Sequence, residues 1–361
     1  MSVFGCDIGG TKIKAAAVAL PASPEHDPRV IRAIQIPTPR LAPSALYDHI
    51  AALLRRLNDA SIRPIAAVAH PGRFLADGTV ARGTVPNLGE RPDQFDGVNP
   101  SRELSSRLGM TVIAENDAIS QMRFAPQSLL RDPAVRARLL GRTVVYLGPG
   151  TGMGGGVARV DATGGVTPIT DGHLFDLQIS TYGDGTLTAE ELLTGPAIAR
   201  RVMAANARLD PPIEPATGER VRDLLTDSQA LPTHRQAAEE IVKETGEMLG
   251  QVIATVHAGH IVKVRLETQA GGRIVRHVDE PDRAWPPDDQ AEVRGASRFV
   301  FGGSVGVNPV LGSALRRCAL AWLQREGLHG IDIIQSPVPS ADAGVLGAVL
   351  AIPPALLTGG G

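Results

Sequence analysis

The chain has 361 residues, 43% apolar and 20% charged, ordinary values for a soluble globular protein and enough length for two domains with more than one core. A net charge of −2 offers nothing to nucleic acid or an anionic membrane, and aromatics at 3% leave few platforms for stacking bases. No signal-peptide pattern opens the sequence and no apolar run reaches membrane-spanning length, so a cytoplasmic protein is expected.

In chain order, residues 3–8 read as a short apolar strand carrying Asp7, and Gly9-Gly10-Thr11-Lys12 turns it toward a second strand over 13–20. Residues 21–44, rich in proline and charge, read as an exposed loop around a strand at 29–36. Apolar positions 46, 50, 53, 54 and 57 predict a helix over 44–59. A buried strand over 65–69 ends in His70-Pro71-Gly72-Arg73. Asp77-Gly78 marks a hairpin, 79–82 a short strand, and 85–89 a loop. Asn99 and Pro100 cap and open a helix to 108, followed by a strand over 110–114. That strand runs into Glu115-Asn116-Asp117 and a helix over 118–124. Residues 1–118 thus alternate strands and helices with polar residues at strand ends, where α/β sheets commonly place their sites.

A second domain is expected from about residue 119. It holds a strand over 143–147, a glycine-dense turn, and a strand over 157–160. A polar stretch over 171–188 precedes a helix over 189–206 and a loop over 211–218. A long helix over 233–258 stops near Gly259. A hairpin over 261–267 and 273–278 and an acidic, proline-rich surface insertion over 280–295 follow. A strand over 299–301 enters Gly302-Gly303-Ser304, then a helix over 309–325, a strand over 331–335 and a small-residue helix over 342–350. Cys6 and Cys318 sit in strand-like and helix-like apolar settings, so buried free thiols are expected rather than a disulfide.

Two segments share one pattern, strand, small-residue turn, strand: 3–20 and 143–160. Neither meets the spacing or the strand-to-helix context of a P-loop or a dinucleotide fingerprint. Glycines at 148, 150, 152, 154, 155 and 156 permit close approach and can point several N–H groups at one anion. Alone, that turn has a second reading as a tight hairpin between buried strands. With Asp7 and Lys12 on one hairpin and Thr151 on the other, the pair suits a polyphosphate held between two domains, with Asp7 holding Mg2+ through water.

With these residues in view, the chain resembles the ROK family of bacterial-type sugar kinases, within the actin-like/hexokinase-like ATPase superfamily. The resemblance rests on Asp7-Ile8-Gly9-Gly10-Thr11-Lys12, His70-Pro71-Gly72, Pro86-Asn87-Leu88, Glu115-Asn116-Asp117-Ala118, Gly150 through Gly156, Gly172-His173, Glu190 with Gly195, and Gly302-Gly303, in family order over nearly the whole chain. It implies an α/β, two-domain fold of ribonuclease H-like domains with ATP and a hexose in the interdomain cleft. The small domain would comprise residues 1–118 plus about 340–361, the last helix crossing back onto it, and the large domain 119–339. Asp117 matches the family's catalytic base, which takes the proton of a sugar hydroxyl as the γ-phosphoryl transfers; its other reading is a cap for the helix at Ala118. Asn116 matches a sugar-hydroxyl ligand, and Gly72 and Asn87 match loops bordering the sugar, each also readable as a turn residue. Gly9, Gly10, Thr11 and Lys12 match the first phosphate loop, and Thr151 with Gly152 the second. Gly302 and Gly303 match the turn under the adenosine, with Ser304 where a third glycine is usual. A homodimer is also implied, although no surface stripe marks one.

The chain departs from the family at its zinc site, made there by one His and three Cys. His173 is present, but 180–190 read STYGDGTLTAE without cysteine, so no zinc is expected and Tyr182 and Asp184 would support the loop. His173 then either bonds the sugar near its anomeric end or is a packed remnant. Glu190 matches the sugar-binding glutamate, with Glu191 the alternative by one register. Thr170, beside Asp171, replaces a second family glutamate. That exchange points away from plain glucose toward an aminosugar, whose ammonium Asp171 could pair, a deoxysugar or another polyol-like metabolite; a glucokinase with a water at Thr170 is the bland alternative. A non-catalytic sugar binder and a sugar-responsive regulator are the other classes. Regulators carry a DNA-binding domain ahead of the Asp7-type loop, and with that loop beginning at about residue 6 here a regulator is not expected.

Overall fold

The computed structural model describes all residues except 22–25, 60, 86–87, 92, 171, 173–177, 183–184, 260–263, 269–273, 279–292 and 359–361, and the backbone alone of 178–182, 185–186, 264–268, 274–278 and 340. The first sheet begins with β1 (Ser2–Ile8) and β2 (Lys12–Ala19), an antiparallel hairpin in which Asp7 lies opposite Lys14. β3 (Arg29–Pro37) pairs with β2 as an edge strand, and α1 (Pro43–Arg56) leads to β4 (Ile62–His70), parallel to β1. α2 (Pro100–Leu108), capped by the Asn99 side chain, leads to β5 (Thr111–Asn116), parallel to β4 with His70 opposite Asn116. The order is β3-β2-β1-β4-β5.

α3 (Asp117–Leu129) and α4 (Pro133–Leu139) then lead to the second sheet. Its first hairpin is β6 (Thr143–Pro149) and β7 (Met153–Val160), with β8 (Val166–Pro168) at the edge. β9 (Gln178–Tyr182) and β10 (Gly185–Thr188) form a separate hairpin, followed by α5 (Ala189–Leu193), α6 (Gly195–Asn206), α7 (Gly218–Thr226) and α8 (Pro232–Ala258). β11 (Val264–Thr268) and β12 (Ile274–Val278) pair antiparallel. β13 (Arg298–Phe301), a one-turn α9 (Gly303–Gly306), α10 (Leu311–Arg325) and β14 (Asp332–Gln335) complete the sheet in the order β14-β13-β6-β7-β8. α11 (Ser340–Leu350) and α12 (Pro354–Thr358) close the chain.

Strand alternation decides which helices cover each face. In the first sheet Phe4, Cys6 and Ile8 point to one core with α1, while Val3, Ala16, Val18, Ile65 and Ala67 point to another, closed by Ala343, Val345 and Val349 of α11. In the second, Val145, Leu147, Phe299 and Phe301 face α8 and α10, and Val144, Tyr146 and Val300 face α3 and α4. α3 contributes Phe124 to the first sheet's core and Met122 to the second's, so one helix joins the two. α11 crosses α3 without side chains between them: a Cβ at Gly347 would overlap the Ser120 carbonyl. Among the described residues no helix is long and apolar enough to cross a membrane.

Several expectations need correction. Residues 79–82 form no strand, only a Phe74–Val80 bridge, because Gly78 and Gly83 on either side both take positive φ. The helix expected over 189–206 breaks at Thr194, where Gly195 and Pro196 start α6 afresh. α3 runs beyond 124, carrying Pro126 inside it. α4 and α7 were not expected, nor was the strand pair β9–β10 within the polar stretch.

Candidate functional site

Asp7 stands at the buried end of β1, next to the first glycine turn. That turn is pinned by Gly9 N–H donating to the Lys12 carbonyl (2.9 Å) and by the Thr38 hydroxyl donating to the Gly9 carbonyl (2.6 Å). Gly10 and Lys12 stay half-buried and Thr11 exposed, so the turn's outer side is open. Burial, together with Asp117 and Asp342, raises the Asp7 carboxyl well above the usual range, against the opposing pull of Lys12 and Lys14. α11 presses on it: a Cβ at Gly344 would overlap the Asp7 carboxylate.

Asp117 is the first residue of α3, where the chain leaves the first sheet for the second. The helix cap is Asn116, whose Oδ1 accepts from Ile119 N–H (3.1 Å). Asp117 Oδ1 accepts from Ala118 N–H (2.9 Å), and desolvation still pushes its carboxyl up to about 6. Asn116 is buried and nearly saturated: Nδ2 donates to the Gly72 carbonyl (2.9 Å) and lies 3.3 Å from Asp117 Oδ1. Glu115 is held apart by Ser120 (2.9 Å) and Arg123 (3.0 Å).

The second glycine hairpin reaches the same place. A Cβ at Gly154 would meet Ala118 Cβ at 3.0 Å, so β7 lies against the head of α3. Gly150 N–H donates to the Gly152 carbonyl (2.8 Å) and Gly195 N–H to the Gly150 carbonyl (2.9 Å), leaving Thr151 exposed at the tip. Gly302 and Gly303 pack on this hairpin through the buried Tyr146: a Cβ at Gly148 would lie 2.7 Å from its ring, and one at Gly302 would overlap it. The Tyr146 hydroxyl donates to Gln121 of α3 (2.9 Å) and accepts from Gly303 N–H (3.0 Å). Gly303 takes φ +65° directly against Pro149, a place and conformation only glycine fills without strain. Ser304 is exposed beside Gly150.

The two glutamates are separated by their bonds. Glu191 closes a capping box with Thr188, accepting from its N–H (2.9 Å) while the Thr188 hydroxyl accepts from Glu191 N–H (3.2 Å). Glu190 instead accepts from Met153 N–H of the glycine hairpin (3.0 Å), with its carboxyl raised by burial. The Thr170 hydroxyl accepts from Val157 N–H (3.0 Å), so it serves β7. Gly172 takes φ +85° over Asn116 Oδ1, where a Cβ would come within 2.6 Å. Asn87, His173, Asp171 and Asp184 lie outside the described residues, as does the Tyr182 side chain.

Gly72, Asn116, Asp117, the second turn, Glu190 and Gly302-Gly303 are thus linked by contacts around the head of α3, and Asp7, with the first turn beside it, acts on Asp117 through charge. Sequence reasoning missed Lys14, which pairs with Asp342, and Tyr146 with Gln121. Lys14 was visible as the residue facing Asp7 across the hairpin; nothing in the sequence pairs Tyr146 with Gln121.

No protein-family model matches the chain, and no curated protein matches it in sequence. Solved structures do match it. The ROK hexokinase of Thermus thermophilus is 22% identical over 97% of both chains, with a TM-score of 0.59. A ROK-family glucokinase from Streptomyces griseus, solved with glucose and AMPPNP, is 18% identical over 96% of this chain and 98% of that one, with a TM-score of 0.62. A ROK-family transcriptional regulator, a homolog of the E. coli MLC protein, is 14% identical over 97% of this chain and 78% of that one, with a TM-score of 0.60. The chain therefore has an α/β fold built on two five-stranded sheets, the fold shared by these ROK hexokinase, glucokinase and regulator structures.

Proposed function

We propose that this chain is an ATP-dependent carbohydrate kinase that transfers the γ-phosphoryl of Mg-ATP to a hydroxyl, the primary 6-OH, of a hexose or aminosugar. The observation that carries the reading is Asp117, a carboxylate raised to about 6 at the head of α3, with β1's Asp7 near on one side and the glycine hairpin of β7 on the other. A group with that pKa is ionised at neutral pH yet basic enough to take a proton from an alcohol as it attacks. The fold and the ligands of the glucokinase neighbour support the substrate classes.

In this reading Asp117 accepts the sugar proton and Asn116 orients it. Gly72, Asn87, His173 and Glu190 border the sugar. The turn of Gly9, Gly10, Thr11 and Lys12 and that of Thr151 and Gly152 face the phosphates, and Gly302 and Gly303 support the adenosine. Asp7 offers carboxyl oxygens, the donor type that Mg2+ takes, and would hold the ion through water, with Lys12 and Lys14 also close to it. Magnesium, when bound, offsets the charge on the transferring oxygens. No zinc is part of the proposal. The domains would divide at 118, with residues from about 340 returning to the first, and a homodimer is the proposed assembly. Thr170, committed to Val157 N–H, leaves the sugar without a carboxylate at that point, which favours a substrate other than plain glucose.

A coupled ADP-release assay over hexoses, aminosugars, N-acylated aminosugars and cyclic polyols tests this. One substrate well above the rest, with turnover abolished in D117A, supports it. Sugar binding without turnover on any member would instead support a non-catalytic binder or, as the regulator of the same fold suggests, a sugar-responsive regulator.

A further inference from the structure

His70 is fully buried at the end of β4, opposite Asn116, and sits among aromatic rings: Tyr47, Phe74 and Phe95 have centroids 6.0, 6.0 and 5.9 Å away. An aliphatic or phenyl side chain would fill that place without desolvating two nitrogens. Both nitrogens are engaged. Nδ1 lies 2.6 Å from the Pro71 carbonyl, which can only accept, so Nδ1 carries the proton; Nε2, 3.0 Å from the Tyr47 hydroxyl, accepts from it. Burial pushes the imidazole down to about 4, which keeps it neutral and this tautomer fixed.

The held carbonyl belongs to the residue before Gly72. Gly72 takes φ +99° with no room for a Cβ beside Val85, and Arg73 N–H donates to the Thr84 hydroxyl (3.1 Å), so the turn has one conformation. Its next carbonyl, that of Gly72, receives Asn116 Nδ2. That bond, with the cap to Ile119 N–H, decides which end of the Asn116 amide faces Asp117.

We infer that His70 is a positioning residue, which holds the Pro71–Gly72 turn so that the Gly72 carbonyl fixes the Asn116 amide beside Asp117. The inference rests on the kinase reading for its catalytic meaning, but the linkage itself is readable without turnover.

Two near-isosteric variants separate the bonds. In H70N the amide nitrogen stands at the Nδ1 position and still donates to the Pro71 carbonyl. In H70Q the longer amide reaches Tyr47 and loses Pro71. H70Q is expected to lower kcat about tenfold to a hundredfold with the KM for ATP within about twofold, while H70N keeps most of the turnover. In protein labelled with 15N-asparagine, the Asn116 side-chain amide signals, assigned with N116D, are expected to match wild type in H70N and to move and exchange faster with solvent in H70Q. Equal losses in H70N and H70Q, or unmoved Asn116 signals in H70Q, overturn the inference. If H70Q does not fold, H70F, whose phenyl ring fills the same place but offers no donor to the Pro71 carbonyl, is read in the same way: shifted Asn116 signals support the linkage and unmoved ones overturn it. A wild-type protein with no turnover on any sugar would sink the kinase reading alone, since the amide signals still report the linkage.

Discussion

Lys14 on β2 forms an ion pair with Asp342 in the first turn of α11, 328 residues later in the chain. Both side chains are largely buried, with relative exposures of 16% and 29%, and both act on Asp7, Lys14 lowering its carboxyl and Asp342 raising it. D342A leaves Lys14 half-buried without this partner. It is expected to cost about 1–2 kcal/mol, between the values for exposed and buried pairs, measured by urea denaturation. No change in midpoint would mean that the pair contributes nothing to holding α11.

Asp117 should act as one ionisable group. The specificity constant kcat/KM for the sugar, which reports the free enzyme, is expected to fall about tenfold per pH unit below about 6, as its carboxyl protonates. An acid limb unchanged when buffer and sugar are varied, and centred near 4, would assign the titration to a group other than this one.

The same shift has an opposite sign in stability. The folded-state pKa of Asp117 lies above the ordinary value, so the unfolded chain sheds its proton first as pH rises from about 4 to 6, and stability falls through that window. D117N is therefore expected to raise stability at pH 8 by roughly 2 kcal/mol while removing most turnover, and to match wild type near pH 4. Thermal unfolding at both pH values checks it; a variant less stable at pH 8 would count against desolvation as the cause.

Glu190 and Glu191 should part company. E191Q weakens a capping box and is expected to cost about 1 kcal/mol of stability with little effect on the KM for sugar. E190Q, which loosens the carboxylate bonded to Met153 N–H, is expected to raise that KM at near-normal stability. The reverse pattern would move the sugar contact one register along.

At the crossing of α3 and α11, G347A puts a methyl group onto the Ser120 carbonyl. The helices must separate, at an expected cost of about 1–3 kcal/mol, and turnover should fall because Asp117 rides on α3. Full activity and unchanged thermal unfolding would show that the crossing is slack.

The strand–turn–strand units and the long helix stopping at Gly259 were legible because periodicity and glycine chemistry are local signals. Some misses had local signals too: Asp132-Pro133 caps and opens α4, Thr217 caps α7, and Thr194-Gly195-Pro196 restarts a helix that apolar spacing alone carries through. Others had none. Asn116 as the cap, with Asp117 one step inside the helix, depends on where β5 stops. The bond from Thr170 to β7 and the burial of His70 depend on neighbours distant in sequence, which no window of residues contains.

Because α11 supplies Ala343, Val345 and Val349 to the first sheet's second face, that face has Phe124 of α3 but not its main cover while the chain is being made. Val3, Val18, Ile65 and Ala67 stay open to water, or to a chaperone, until residues beyond 340 leave the ribosome. The half of the molecule translated first is thus the half whose packing finishes last, and a fragment ending before α11 carries an apolar sheet face that invites aggregation.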